Sequence, residues 1–384
     1  MNALEAANSG NEAFAESVEP PGAVVRSYVV FDGCNIYDPR RPQAGASRTT
    51  AWVGTKENQY VRALVAGAAG FLGSHLCDRL RRDRIEVLGL DNFYTGSRGN
   101  IMHLEDDPGF SFFEHDITRP LDADMTGPLD VIFNMACPAS PREYQRDPLF
   151  TLETNYVGTR NLLELAREHG ATILQASTSE VYGDPTIHPQ VESYWGNVNC
   201  FGVRGCYEEG KRVAETLMLE HARRYGVRIK VVRIFNTYGP RMDPEDGRII
   251  STFIVQALRG EPITVFGNGS QTRSFCYVDD LVDGLVNMAS SEPSFTGPVN
   301  LGSPAEFTVL EIASIIKEMT GSPSATVFKT LPPDDPRKRK PDISLAESRL
   351  GWRPRVPFEE GAARTIDYFR RIIGCGSPRA RCGR

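Results

Sequence analysis

Tyr207 and Lys211 stand four residues apart at the head of the stretch YEEGKRVAETLMLEHARRYG. In a helix that spacing puts both side chains on one face. A free tyrosine keeps its proton up to a pH of about 10 and is a poor base. A neighbouring ammonium stabilises the phenolate, so the pair suits proton exchange with an alcohol. Taken alone, the same pair also fits an ordinary helix surface. A second group strengthens the reading: the run Gln175-Ala176-Ser177-Thr178-Ser179-Glu180 collects hydroxyls and one carboxylate where an apolar strand-like stretch meets a turn. Thr178 is suited to hydrogen-bond a reacting hydroxyl, and Glu180 to exchange a proton or hold a water. A capping role for Ser177 to Ser179 is the competing reading.

The strand-like RALVAG runs into Gly67-Ala68-Ala69-Gly70-Phe71-Leu72-Gly73 and then into a stretch with helical spacing at Leu72, Leu76 and Leu80. Glycines at a strand-to-helix turn let the backbone approach a pyrophosphate, which meets the unpaired N–H groups of the helix N-terminus. Asp91 ends the next strand-like run, eighteen residues past Gly73, and Asn92 follows it. A carboxylate there accepts from ribose hydroxyls and repels a ribose phosphate, which points to NAD over NADP. Nearby Arg98 pulls the other way. Asp116 and Ile117, after a further strand-like run, are candidates for the adenine end, with a surface turn as the alternative. In this setting Lys211 is also placed to grip the nicotinamide ribose.

Such groups need a frame. From Arg62 onward, short β-branched runs alternate with amphipathic helical stretches, ending with RIKVVRIFN. Nearly continuous apolar strands with helices between them mean a parallel sheet covered on both faces. The fold class expected is α/β, a doubly wound Rossmann sheet with a smaller C-terminal substrate-binding lobe. The expected organisation is a leader over 1–60, flexible in part; an NAD-binding domain over 61–236, with 184–205 reaching the substrate site; a lobe mainly over 237–370, where Pro and Gly interrupt the alternation; and a tail over 371–384.

Composition narrows the partners. The 384 residues carry a formal charge of −6, with signs interleaved, and this leaves no broad basic face for nucleic acid or an anionic membrane. Eight cysteines are scattered without a zinc-like spacing, so no metal site is expected. Reduced thiols, no apolar run of spanning length and no signal-like start together suggest a cytoplasmic protein.

Several stretches together carry a resemblance over roughly Arg62 to Arg370. They are Gly67-x-x-Gly70-x-x-Gly73, Asp91-Asn92-Phe93, Asn155, Thr178, Tyr207-x-x-x-Lys211 and Arg233-Ile234-Phe235-Asn236-Thr237-Tyr238-Gly239-Pro240. In this order they resemble the extended short-chain dehydrogenase/reductases that act on nucleotide sugars. Within that family, the stretch from Gly196 through Arg204 to Arg212, Ser177-Thr178-Ser179-Glu180, Gln271-Thr272-Arg273-Ser274-Phe275 and Arg339-Lys340-Pro341-Asp342 are most similar to the UDP-glucuronate decarboxylases. Cys200 and Cys137 depart from that pattern, standing where proline and serine are usual.

The resemblance implies a reaction in which Tyr207 takes the carbon-4 hydroxyl proton while NAD takes the hydride. The resulting 4-keto sugar of UDP-glucuronate loses carbon dioxide, and reduction of the ketone gives UDP-xylose. It places Glu180, Ser179, Arg204, Asn236 and Arg339 near the sugar, with Arg339 at the carboxylate or a proton-relay water, and Arg273 at the diphosphate. For Arg339 the alternative is a solvated charge run, Arg337 to Lys340; for Arg273 and Asn236 it is a turn. Ser179 replaces the aspartate of related dehydratases, which argues against dehydration. The family also implies a homodimer through helices near 161–169 and 207–225. A UDP-sugar 4-epimerase is the runner-up within enzymes, and a non-catalytic NAD-binding sensor is the reading from another class.

Overall fold

The computed structural model describes residues 61–121, 126–331 and 338–374. The leader expected over 1–60 and the tail from 375 onward lie outside the described residues. The centre is a seven-stranded sheet. Its strands are β1 (Arg62–Ala66), β2 (Glu86–Asp91), β3 (Phe110–Glu114), β4 (Val131–Asn134), β5 (Thr172–Thr178), β6 (Arg228–Ile234) and β11 (Val299–Leu301), in the spatial order β11-β6-β5-β4-β1-β2-β3. Every neighbouring pair is parallel. The apolar runs are continuous because helices cover both faces, and Ala63, Leu64, Val65 and Ala66 have no exposure at all.

The strand order reverses between β1 and β4, and in such a sheet the carboxyl ends open there into a crevice that takes ligands. Helix α1 (Phe71–Arg82) follows β1 directly. On the other side of the switch, α2 (Thr159–His169) feeds β5, and the long α3 (Gly205–Tyr225) feeds β6 and ends on Gly226 in the left-handed conformation, φ 68°. A short helix over Pro148–Glu153 continues into α2 through a wide turn at Thr154–Gly158 that carries Asn155.

The later chain does two jobs. Strands β7 (Thr237–Tyr238) with β10 (Cys276–Tyr277), β8 (Ile263–Phe266) with β13 (Thr326–Lys329), and β9 (Thr272–Ser274) with β12 (Glu306–Thr308) and β14 (Lys338–Arg339) form three small sheets, and helix α4 (Ile249–Arg259) packs against β8. Between them, α5 (Val278–Ala289) packs on α1, and β11 pairs with β6 to finish the central sheet. Residue 236 is therefore not a clean division: part of 237–370 belongs to the Rossmann layer. The last helix, Phe358–Gly374, also takes in the first four residues of the expected tail.

Candidate active site

Helix α3 delivers Tyr207 and Lys211 on one face, as their spacing requires, and both are buried. Lys211 Nζ donates to the Ala176 carbonyl at 2.9 Å, at the end of β5, and lies 5.9 Å from the centre of the Tyr207 ring. That ring stacks on Tyr144, with centroids 4.9 Å apart and planes 2° from parallel. Burial pushes the Tyr207 phenol well above the ordinary tyrosine range; Cys137 and Glu180 add to this, and a hydrogen bond with Thr178 opposes it. The protein's own groups thus hold Tyr207 protonated. Desolvation is the largest of these effects on the phenol.

Beyond Thr178, the chain turns through Ser179–Tyr182, with the Thr178 hydroxyl accepting from the Glu180 amide at 3.2 Å. That turn aims Glu180 at two guanidiniums. Arg204, at the start of α3, donates through Nη2 to Glu180, and Arg339 donates through Nη1 at 3.3 Å. Burial alone would raise the Glu180 carboxyl, but Arg204 and Arg339 overcome it and hold it below the usual range. Arg204 is further linked to Glu208, one residue past Tyr207, by Nε to Oε1 at 3.3 Å.

Arg339 is not part of a solvated charge run. It is 7% exposed whereas Lys338 beside it is exposed. The cause is register: β14 pairs with β9 so that Arg339 lies opposite Arg273, itself buried, and both side chains line the same cavity. One nitrogen of Arg339, Nη2, is buried without a hydrogen-bond partner.

The cavity measures about 680 Å³, within the range that encloses a small ligand. Thr178, Ser179, Glu180, Arg204, Tyr207, Lys211, Asn236, Arg273 and Arg339 all line it, and Leu72 joins them from α1. Asn236 also contacts the Ser274 carbonyl, Nδ2 to O, at 3.4 Å. Gly67, Gly70, Phe71, Gly73, Asp91, Asn92, Asp116 and Ile117 are not in its lining but follow the carboxyl ends of β1, β2 and β3.

The glycines among them leave little room for added atoms. Gly67 has φ +83°, and a Cβ on Gly73 would lie 1.9 Å from the Gly67 carbonyl oxygen. The Asp91 carboxylate accepts from the Ala69 amide at 3.0 Å and the Phe93 amide at 2.8 Å, bracing the glycine turn against β2. Burial pushes its carboxyl upward while these amides pull it down. Asp116 accepts from Asn92 at 3.1 Å, also caps Thr118, and so ties the ends of β2 and β3 together.

Sequence reasoning missed Tyr144 and Glu208. Tyr144 is fully buried with its hydroxyl unpartnered, and nothing in its local sequence singles it out. Glu208 had a signal, since it falls four residues after Arg204 on the same helix face. No group of His, Cys, Asp or Glu that would hold a metal occurs among the described residues. Among the same residues, no helix is long and apolar enough to cross a membrane.

The chain is similar to known proteins over most of its length. Residues 63–302 match the NAD dependent epimerase/dehydratase family. UDP-glucuronic acid decarboxylase 6 of Arabidopsis thaliana is 51% identical over 315 residues, covering 82% of this chain and 90% of the relative. UDP-glucuronic acid decarboxylase 1 of Xenopus tropicalis is 50% identical, covering 83% and 74%. Among solved structures, the UDP-glucuronic acid 4-epimerase of Bacillus cereus, in complex with UDP-glucuronic acid and NAD, superposes with a TM-score of 0.75 at 29% identity, over 81% of this chain and 100% of that one. With the fold, the glycine cradle and the Tyr–Lys pair in place, the chain belongs to the NAD dependent epimerase/dehydratase family and, within it, to the UDP-glucuronic acid decarboxylases.

Proposed function

We propose that the protein converts UDP-glucuronate to UDP-xylose and carbon dioxide with NAD as a recycled cofactor. The observation that carries this reading is the pair of buried arginines, Arg204 and Arg339, held by Glu180 beside Tyr207. Within this pair, Arg339 Nη2 is buried with no hydrogen-bond partner, a donor that a sugar carboxylate can satisfy through guanidinium pairing.

In this reading the glycine turn, with the backbone of Phe71 and Leu72, cradles the NAD pyrophosphate at the N-terminus of α1. Asp91 and Asn92 meet the adenosine ribose, and Asp116 and Ile117 the adenine end. Arg273 takes the sugar nucleotide's diphosphate, while Ser179 and Asn236 hold the sugar. Bound NAD supplies a hydride acceptor and a positive charge near Tyr207. Tyr207 would first give up its own proton to solvent, and its phenolate, stabilised by Lys211, would then receive the carbon-4 hydroxyl proton while Thr178 fixes the same oxygen. The ketone so formed is β to the carboxylate, so carbon dioxide leaves with its bonding electrons passing to the carbonyl. Tyr207 and Thr178 stabilise the enolate oxygen. Protonation at carbon 5 and hydride return at carbon 4 complete the cycle.

The 4-epimerase reading gains from the structural likeness to the Bacillus cereus enzyme, at lower identity than the decarboxylases show. Purified protein incubated with UDP-glucuronate and NAD separates the two: loss of carbon dioxide supports decarboxylation, and an isomer of unchanged mass supports epimerisation.

A homodimer and a cytoplasmic location belong to the same reading. Support for the dimer comes from the Pro148–Glu153 helix packing on α3 while Leu149, Leu152, Tyr156, Leu219 and Tyr225 are left exposed. Light scattering that gives a monomer mass at micromolar concentration would contradict it.

A further inference from the structure

Two carboxylates, not one, share the arginines of the site. Glu180 sits between Arg204 and Arg339, and Glu208 lies behind Arg204, bonded to its Nε and 4% exposed. The charged and titratable groups facing Glu208 are Glu180 on the turn after β5, Arg339 on β14, Tyr144 on the Pro141–Tyr144 helix, and Arg204 and Cys206 beside it.

Counting charge decides what each carboxylate can be for. Two guanidiniums and two ionised carboxylates sum to zero. A sugar carboxylate entering this cluster would leave one buried negative charge uncompensated, which is costly in a poorly solvated site. Protonating Glu208 restores balance and frees Arg204 to turn its donors toward the newcomer. Glu180 is unsuited to take that proton because two arginines hold it ionised, whereas Glu208 has one arginine at 3.3 Å.

We propose that Glu208 is a positioning residue for the substrate carboxylate: it restrains Arg204 while ionised, and it takes up one proton when the carboxylate binds, releasing Arg204 to hold that group. The balance is one proton from solvent to a Glu208 oxygen per carboxylate bound, returned when the site is again without an anion. Burial, with Glu180 adding to it, pushes the Glu208 carboxyl up to about 7, where such an exchange operates near neutral pH.

This inference rests on the decarboxylase reading, and its test is separable from that reading. NAD-loaded full-length protein carrying Tyr207→Phe, which blocks turnover, is titrated calorimetrically with UDP-glucuronate at pH 8 in two buffers of different ionisation heat. The expected uptake is close to one proton per site, with affinity falling about tenfold per pH unit above pH 8. UDP-xylose, which has the same nucleotide and no carboxylate, should take up none and bind with no such pH dependence. Adding Glu208→Gln should abolish the uptake and flatten the UDP-glucuronate profile. Uptake that survives Glu208→Gln, equal uptake with both sugars, or none with either overturns the assignment. If Glu208→Gln fails to fold, the contrast between the two sugars decides on its own. Carbon dioxide release by the unmutated protein without this uptake would sink the role of Glu208 and leave decarboxylation standing.

Discussion

At the level of single residues, Tyr207 stacks on Tyr144 with the Lys211 ammonium 5.9 Å from its ring centre, buried deeply enough that its resting form is the phenol. Its chemistry therefore depends on the hydroxyl itself and not on the ring. Tyr207→Phe keeps the stacking and should lower kcat by about 10³-fold or more while leaving UDP-xylose affinity within a few-fold. Single-turnover kinetics with a binding titration check both halves. Arg339→Ala removes one of the two partners of a buried carboxylate. The unbalanced Glu180 should cost on the order of 3–5 kcal/mol of stability, and UDP-glucuronate binding should weaken far more than UDP-xylose binding. Denaturant melts and paired titrations measure these. Tyr207, Lys211, Thr178 and Glu180 were legible in the sequence because strand ends and helix spacing advertise them. Tyr144 was not, since only the three-dimensional stack with Tyr207 gives it meaning.

Elements set the tolerances for those residues. The glycine turn between β1 and α1 closes on itself so tightly that Gly73→Ala drives a Cβ against the Gly67 carbonyl oxygen. Both atoms that clash are tied to backbone, so neither can swing aside. NAD affinity should fall by at least about tenfold and the melting temperature should drop by several degrees, as read by cofactor fluorescence and by scanning calorimetry. The strands and helices through β6 were legible because each buries a continuous run or a single stripe. The return of β11 to the sheet edge was not: Val299–Leu301 is three residues long, and its place comes from pairing with β6 at a separation of some seventy residues. Arg339 shows the same limit in reverse. Its surroundings read as a charge run, and only the register of β14 on β9 puts it inside.

Across the whole molecule, the buried carboxylates fix how stability varies with pH. Glu180 is held below the ordinary carboxylate range, so its contribution is present above its unfolded value and lost as pH falls through its folded value. Glu208 is raised to about 7, so its contribution is present at pH below its unfolded value and lost as pH rises through 7. For this pair, stability is favoured between the two and declines toward pH 8. Glu208→Gln should shrink that alkaline decline, as thermal melts at pH 5.5 and pH 8 would show; an undiminished decline would contradict the account. One cavity joins the Tyr207–Lys211 pair to a cluster suited to a carboxylate, and the reaction this predicts is followed by mass. Purified protein is incubated with UDP-glucuronate carrying ¹³C at its carboxyl carbon, with NAD, and the nucleotide sugars and released gas are followed together. Labelled carbon dioxide, a UDP-pentose free of label and little accumulated NADH are expected. Label retained in a UDP-hexuronate isomer, with no gas released, would contradict decarboxylation.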